Sequence, residues 1–307
     1  MTSHHLLRAA PTGAADRLRA LLQGTELVHL PGVHDAVTAR LAVASGARAV
    51  CLSGAVASAV GLGLPDLGFV HGSQIAARAR DVVPSLDGVP LLADADTGYG
   101  NALQARHTTR VYAAAGIAAL HLEDQVAPKR CGHMTGKAVV GLEEAAGRVR
   151  AAVEAGTDMV VVARTDALSV EGLDAVVARA RAFVAAGADA VFVEGAGVDA
   201  LAEVSAALDG RVPLVMNRSE AAGAVEGPAT GNPSDETLAA LGVRLVIHPV
   251  SALLAAARAV AETYAAIART GHAGAVPRMA WDDLTQLVGL DDQLVLEAAY
   301  AEEVAAR

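Results

Sequence analysis

Aromatic side chains are scarce in this 307-residue chain: three Phe, four Tyr and one Trp make up 3% of it. Its core must be built from small aliphatic residues, which suits helices lying close on a strand core and disfavours an aromatic-lined binding groove. Cysteine is nearly absent. Cys51 and Cys131 cannot build a disulfide framework, and no charged segment with an apolar core opens the chain, so a reducing, cytoplasmic setting is expected. Cations are outnumbered, with 24 Lys and Arg against 34 Asp and Glu and a net charge of −10. No basic patch with interleaved aromatics offsets this deficit, which argues against a nucleic-acid partner. Gly, Pro or charge interrupts every apolar stretch before it reaches the ~18 residues of a membrane span, so no membrane partner is expected either.

Small apolar residues are abundant. The chain is 53% hydrophobic, dominated by Ala and Val. Apolar runs at 28–33, 49–53, 90–95, 118–123, 159–164, 190–194, 212–216 and 244–248 read as eight buried strands. Helical patterns at 35–44, 72–83, 102–115, 143–155, 172–186, 198–208, 235–241 and 251–269 alternate with them, after a short amphipathic helix at 13–24 placed as a lid on one barrel end. Gly46, Gly116, Gly156, Gly187 and Gly242 each close a helix just before the next strand, as left-handed caps in short connections do. Eight βα units predict a (β/α)8 barrel of the TIM type over 27–270, preceded by a helical segment (1–26) and followed by C-terminal helices (271–307). An open doubly wound sheet is the alternative, but the first βα turn lacks GxGxxG.

A barrel of this kind concentrates its chemistry at the carboxyl ends of the strands. Ser53, Asp94, Asp96, Glu123, Asp124, Arg164, Asp166, Glu194, Asn217 and His248 all follow apolar runs there. The richest stretch is ALHLEDQVAPKRCGHMTGK (119–137), where Glu123 and Asp124 end a strand and Lys129, Arg130, Cys131 and His133 fill the loop after it. Buried carboxylates are costly without compensation, so this pair implies a metal, a basic partner or open water. Upstream, Asp94 and Asp96 sit two apart, so on a strand both face one side. Four carboxylates on neighbouring strand ends make a hard-oxygen site, expected to have no basic residue among them. A thiol among Lys, Arg and His is expected to have a lowered pKa and to serve as an acid or a nucleophile.

The motifs LSGAVAS, GLPDLG, ADADTGYGN, HLEDQVAPKRCGH and VARTDAL, in this order over 28–267, resemble the isocitrate lyase and phosphoenolpyruvate mutase superfamily, especially its 2-methylisocitrate lyase-like members. The resemblance implies a Mg2+ ion, for which Mn2+ substitutes, bound by Asp94 with Asp66, Asp96 and Glu123 acting largely through water; a zinc site is not implied. Ser53, Gly54 and Ala55 would cradle a substrate carboxylate and Arg164 would contact the same anion. Cys131 would protonate the enolate carbon left by cleavage of a 2-hydroxy di- or tricarboxylate, with Lys129, Arg130 and His133 tuning the thiol and holding a second carboxylate. Gly132 and Gly136 would let the loop close. Glu194 is either a supporting carboxylate or the base, and Asn217 and Ser219 face the distal pocket. A small-molecule carboxylate is the expected partner, in a homodimer or homotetramer whose C-terminal helices pack on or swap with a neighbour. A phosphonomutase, an oxaloacetate hydrolase or decarboxylase, and a non-enzymatic binding or assembly protein are the alternatives. Methylisocitrate lyases typically carry Tyr where this chain has Cys51, and NxTEFG where it has NRSEAAG (217–223). The Mg2+ half of the site therefore fits the family pattern better than the distal half.

Overall fold

The computed structural model describes residues 13–220 and 233–305. Eight strands, β1 (Val28–Pro31), β2 (Val50–Leu52), β3 (Leu91–Asp94), β4 (Ala119–Glu123), β5 (Val160–Thr165), β6 (Ala190–Val193), β7 (Leu214–Asn217) and β8 (Val243–His248), form one all-parallel sheet in the order β1-β8-β7-β6-β5-β4-β3-β2. The sheet curls into a nearly closed TIM-type barrel. At the seam between β1 and β2 the backbones meet in an isolated bridge, Gly32 to Cys51, with Val33 N donating to Cys51 O at 2.9 Å, and the Cys51 thiol donates to Leu30 O at 3.5 Å. All eight strands stand where the apolar runs put them.

The helices on the outside are α2 (Ala36–Ala44), α3 (Gly54–Leu62), α4 (Gly72–Val82), α5 (Ala102–Ala114), α6 (Leu142–Val153), α7 (Leu173–Ala185), α8 (Val198–Ala207) and α9 (Asp235–Ala240). The five predicted cap glycines all have φ between +74° and +97°. Inside the barrel, Leu30, Cys51, Leu92, Val160, Val162, Phe192 and Leu245 fill the lumen. Leu18 and Leu22, one turn apart on α1 (Ala14–Gln23), close its floor, as the amphipathic pattern of 13–24 anticipates.

Two elements differ from the sequence reading. The stretch after Ser53, absent from the helical patterns, is a helix, α3; apart from Ser58 its AVASAV segment is apolar on every side and so shows no periodicity. The second is α10 (Ser251–Thr270), eighth in the series by sequence but not packed on its own barrel. It buries only Ala266, while Leu254, Val260, Ile267 and Tyr264, the last 67% exposed, face outward. An apolar cavity of about 560 Å³ lies beside β1, α2 and β8, lined by Leu27, Val28, Leu41 and Ala42. By length and mean hydropathy α10 is long and apolar enough to cross a membrane. Arg258 and Glu262 are paired within it at 2.8 Å, and the hydropathy comes from alanine. Beyond α10, α11 (Trp281–Leu287) and α12 (Leu290–Ala305) also leave Trp281, Leu294 and Tyr300 exposed.

Candidate active site

At the carboxyl end of the barrel a cavity of about 140 Å³ is lined by residues from seven strand ends and the 125–139 loop. Its floor is set by the start of α3. Gly54 N donates to Asp94 Oδ2 at 3.0 Å, and Asp96 N donates to Asp94 Oδ1 at 3.0 Å. A Cβ on Gly54 would stand 2.9 Å from Asp94 Oδ2 and 3.2 Å from Asp96 Oδ1, so only glycine lets both carboxylates approach this turn. Burial opposes ionisation of Asp94, but His121, Lys129, Arg164 and the Asp96 N–H outweigh it and hold its carboxyl well below the usual range. Asp96 lies beyond the end of β3 with φ +43°, so the two aspartates converge through a turn and not through strand alternation. Burial and the neighbouring Asp94 charge push Asp96 up to about 7.

Contrary to expectation, cations stand among these acids. Lys129 Nζ lies 2.5 Å from Asp66 Oδ1 and 3.2 Å from Asp96 Oδ1, with its side chain 5% exposed. Arg164, beside Phe192, reaches Asp166 at 2.9 Å, Glu123 at 3.3 Å and Glu194 at 3.5 Å. The reason is charge balance: a cluster this acidic and this buried recruits the nearest cations of its own loop and strand. Lys129 is therefore turned inward and is not free to hold a second carboxylate. Arg130 points away altogether. Its backbone is pinned by the Gln125 side chain at both N and O (2.9 Å each), while the residue itself is exposed and absent from the cavity lining.

Asp124 faces away from the cavity. It accepts from Thr165 Oγ1 at 2.6 Å, Asp166 N at 2.9 Å and Arg179 Nη1 at 3.2 Å, which fixes the end of β5 and with it Arg164. Asp166 anchors Arg164 through both oxygens. His248 lies outside the cavity, bonded to His29 at 2.9 Å and Glu220 at 3.0 Å. Cys131, Gly132, His133, Ser53, Ala55, Glu194, Asn217 and Ser219 all line the cavity. The Cys131 thiol departs from its expected behaviour: burial, with the Asp66 charge adding to it, raises its pKa against the pull of the His133 amide and Lys129. It stays protonated at neutral pH, which makes it an acid and not a thiolate nucleophile.

Two residues here escaped the sequence reading. His121 faces the lumen directly across from Asp94 in the β3–β4 register, Nδ1 3.5 Å from Asp94 Oδ1 and without a hydrogen bond. Its signal was positional, since it sits two residues before Glu123 on the same strand face. Lys137 closes the loop, donating to Gly132 O at 2.6 Å and Asp166 Oδ1 at 2.9 Å.

The donor set fits a small hard cation. Asp96 Oδ1, both Glu123 oxygens and Glu194 Oε2 are buried without a hydrogen-bond partner. All are oxygens; Lys129 and Arg164 stand within 3.2–3.5 Å of three of them, but two cations shared among so many buried carboxyl groups leave room for a further positive charge. Among the described residues no group of three His, Cys, Asp or Glu is spaced to grip a metal directly. An all-oxygen set is the kind Mg2+ takes, an ion that keeps several of its own waters and few protein ligands.

A family model described as phosphoenolpyruvate phosphomutase matches residues 18–268. The chain is 36% identical over 292 residues to 2,3-dimethylmalate lyase of Eubacterium barkeri, covering 94% of this chain and 98% of that one. It is 39% identical over 254 residues to 2-methylisocitrate lyase of Bacillus subtilis, covering 80% and 78%. Among solved structures, oxaloacetate acetylhydrolase in complex with 3,3-difluorooxalacetate superposes with a TM-score of 0.85 at 34% identity, covering 95% and 99%. Phosphonopyruvate hydrolase in complex with oxalate and Mg2+ superposes with a TM-score of 0.79 at 29% identity, covering 94% and 99%.

Proposed function

Since the chain belongs to the phosphoenolpyruvate mutase and isocitrate lyase superfamily, and the relatives it matches include lyases and a mutase, we propose that it is a Mg2+-dependent carbon–carbon lyase. Its substrate on this reading is a compact 2-hydroxy dicarboxylate of the alkylmalate kind. The observation that carries it is the distal part of the cavity, where Cys51, Ile247, Pro249 and Val250 present apolar surface and, among the described residues, Asn217 and Ser219 add neutral polar groups but no cation for a further carboxylate. A site without such a group gains nothing from a substrate that carries one. Residues 224–232, part of the loop that would refill this wall, lie outside the described residues.

Asp94 would hold the cation directly, and Asp66, Asp96 and Glu123 through its waters. When bound, the cation supplies positive charge opposite the negative charge that develops as the carbon–carbon bond breaks. The N-terminal turn of α3, with Ser53 and Ala55, receives the substrate carboxylate beside Arg164. Glu194, whose Oε2 accepts no hydrogen bond and stands 3.5 Å from Arg164 at the cavity, takes the proton of the 2-hydroxyl. The bond between C2 and C3 breaks, C2 becomes the carbonyl of a 2-oxo acid, and the electron pair passes to C3 and its carboxylate. Cys131, held as a thiol, gives its proton to C3. His133 and the closed loop exclude water from that step.

A reducing cytoplasm suits an enzyme that depends on a free thiol. We further infer an oligomer in which the exposed apolar face of α10 packs into the groove beside β1 and α2 of a second copy. A pyruvate-release assay with Mg2+ over 2,3-dimethylmalate, other alkylmalates, 2-methylisocitrate and oxaloacetate tests the substrate assignment. Cleavage of oxaloacetate in preference to all alkylmalates would favour the hydrolase reading, which the fit to oxaloacetate acetylhydrolase keeps in view.

A further inference from the structure

The stretch 126–138 carries Cys131 over the cavity, and few of its side chains are buried. Met134, Thr135 and Gly136 are exposed. At its first half the loop is held from behind by Gln125, which brackets Arg130, and by Cys131 N donating to Asp66 O at 3.2 Å. Its second half has one inward anchor of a different kind. Lys137, whose side chain is only 5% exposed, donates to Gly132 O at 2.6 Å and to Asp166 Oδ1 at 2.9 Å. Gly132 is the residue that meets the site: a Cβ there would stand 2.6 Å from the Glu194 carboxyl and 2.7 Å from Arg164 Nη2. The backbone next to the thiol is thus pressed on the two groups that face the reacting carbons, and Lys137 supplies the bond that presses it.

We propose that Lys137 is a positioning residue, the latch that holds the Cys131 loop shut by tying the Gly132 carbonyl to Asp166. The lysine does not line the cavity, so it acts through the loop and not on substrate. An ammonium suits the task. It reaches two acceptors on different elements at once, and both bonds are charge-assisted, roughly twice as strong as neutral ones. Asp166 also binds Arg164 through both oxygens, so one carboxylate braces the substrate-facing guanidinium and the loop together.

The test reads the loop itself. Cys51 is 3% exposed and its thiol is pushed up to about 12 by burial, so Cys131 is the thiol that alkylates. Iodoacetamide labelling of Cys131 in the native full-length protein, followed by mass spectrometry, is expected to run about tenfold faster in Lys137→Met than in wild type. Removing a nearby cation can only make thiolate scarcer, so a faster reaction reports opening and not activation. The same variant is expected to lose about tenfold in kcat with KM changed far less, and Lys137→Arg to fall between the two proteins in both measurements. An alkylation rate equal to wild type would overturn the proposal. If Lys137→Met does not fold, the rate in Lys137→Arg decides in the same way, with no change again overturning it. The kcat arm rests on Cys131 being the proton donor, whereas the alkylation arm does not; faster alkylation with unchanged kcat upholds the latch and counts against that donor.

Discussion

Lys129 and Asp66 form a 2.5 Å ion pair at the centre of the acidic cluster, and Lys129 is also 3.2 Å from Asp96. One lysine and Arg164 do not neutralise Asp66, Asp94, Asp96, Glu123 and Glu194 together, and burial accordingly pushes Asp96 up to about 7 and Glu123 well above the usual carboxylate range. The remaining charge is what a divalent cation would take up. Activity is therefore expected to vanish in EDTA and return with Mg2+ or Mn2+. At a concentration about a hundred times its Kd, Mg2+ is expected to stabilise the fold by about 2.7 kcal/mol, a rise in Tm of roughly 5 °C. In Asp94→Ala both effects should disappear while circular dichroism stays native. Full turnover by metal-stripped protein, with no shift in Tm, would falsify this.

Gly54→Ala places a methyl 2.9 Å from Asp94 Oδ2. The carboxylate must move or the α3 turn must open. A loss of about a hundredfold in kcat/KM is expected, since a misplacement on the order of 1 Å at a reacting centre has that effect. Activity within about threefold of wild type would show that the turn has slack that the geometry does not reveal.

Cys131→Ser keeps the shape of the loop and removes the acid. It should bind oxalate with Mg2+ as well as wild type does and lose about a hundredfold or more in kcat. The raised pKa fixes the pH dependence as well: a group that must be protonated to act, and whose pKa lies above the ordinary thiol value of about 8.5, keeps activity level through neutral pH. The fall comes only on the alkaline side, above that value. A kcat that declines between about pH 6 and 8 would identify a different acid.

Substrate choice follows from the distal wall. 2,3-Dimethylmalate or a similar alkylmalate should exceed 2-methylisocitrate and isocitrate in kcat/KM by about tenfold, the usual effect of one apolar contact against an unmet carboxylate. Measurement of the three side by side decides it. A preference for 2-methylisocitrate of similar size would mean that Cys51 and Ser219 were misread.

Light scattering at micromolar protein should give a dimer or a tetramer, because a monomer would leave α10 bare in water. Tyr264→Glu with Ile267→Glu, on the exposed face of α10, should weaken assembly while leaving the barrel's circular dichroism intact. A wild-type monomer under these conditions removes the inference.

Apolar runs of five or six residues, five of the eight preceded by a capping Gly, located every strand, because a strand covered on both faces must be apolar throughout. The acids at their ends were legible because charge after such a run must be compensated, although Asp124 and Asp166 meet that demand by bracing β5 and Arg164 and do not line the cavity. What the chain did not disclose was direction. KRCGH names two cations, yet only the fold turns Lys129 into the acids and Arg130 out to solvent. Period marks α10 as having an apolar face but is silent on what covers it. α3 hid because it lacks a polar face, and Lys137 because its two partners are five and twenty-nine residues away.

The bridge between Gly32 and Cys51 is the one place where the barrel wall is stitched and not woven. Elsewhere neighbouring strands are paired over two to five residues; here the ring closes on one bridge, which includes the Val33 N to Cys51 O bond, and on the Cys51 thiol donating to Leu30 O at 3.5 Å. A ring with a single thin joint does not breathe evenly. Its slow opening concentrates at that joint, and Cys51, on one side of it, is also a wall of the cavity. The amides of 32–33 and 50–52 should then exchange hydrogen sooner than those of β4 and β5. The pocket's tolerance for different distal groups would then be a property of how the barrel closes as much as of the side chains that line it.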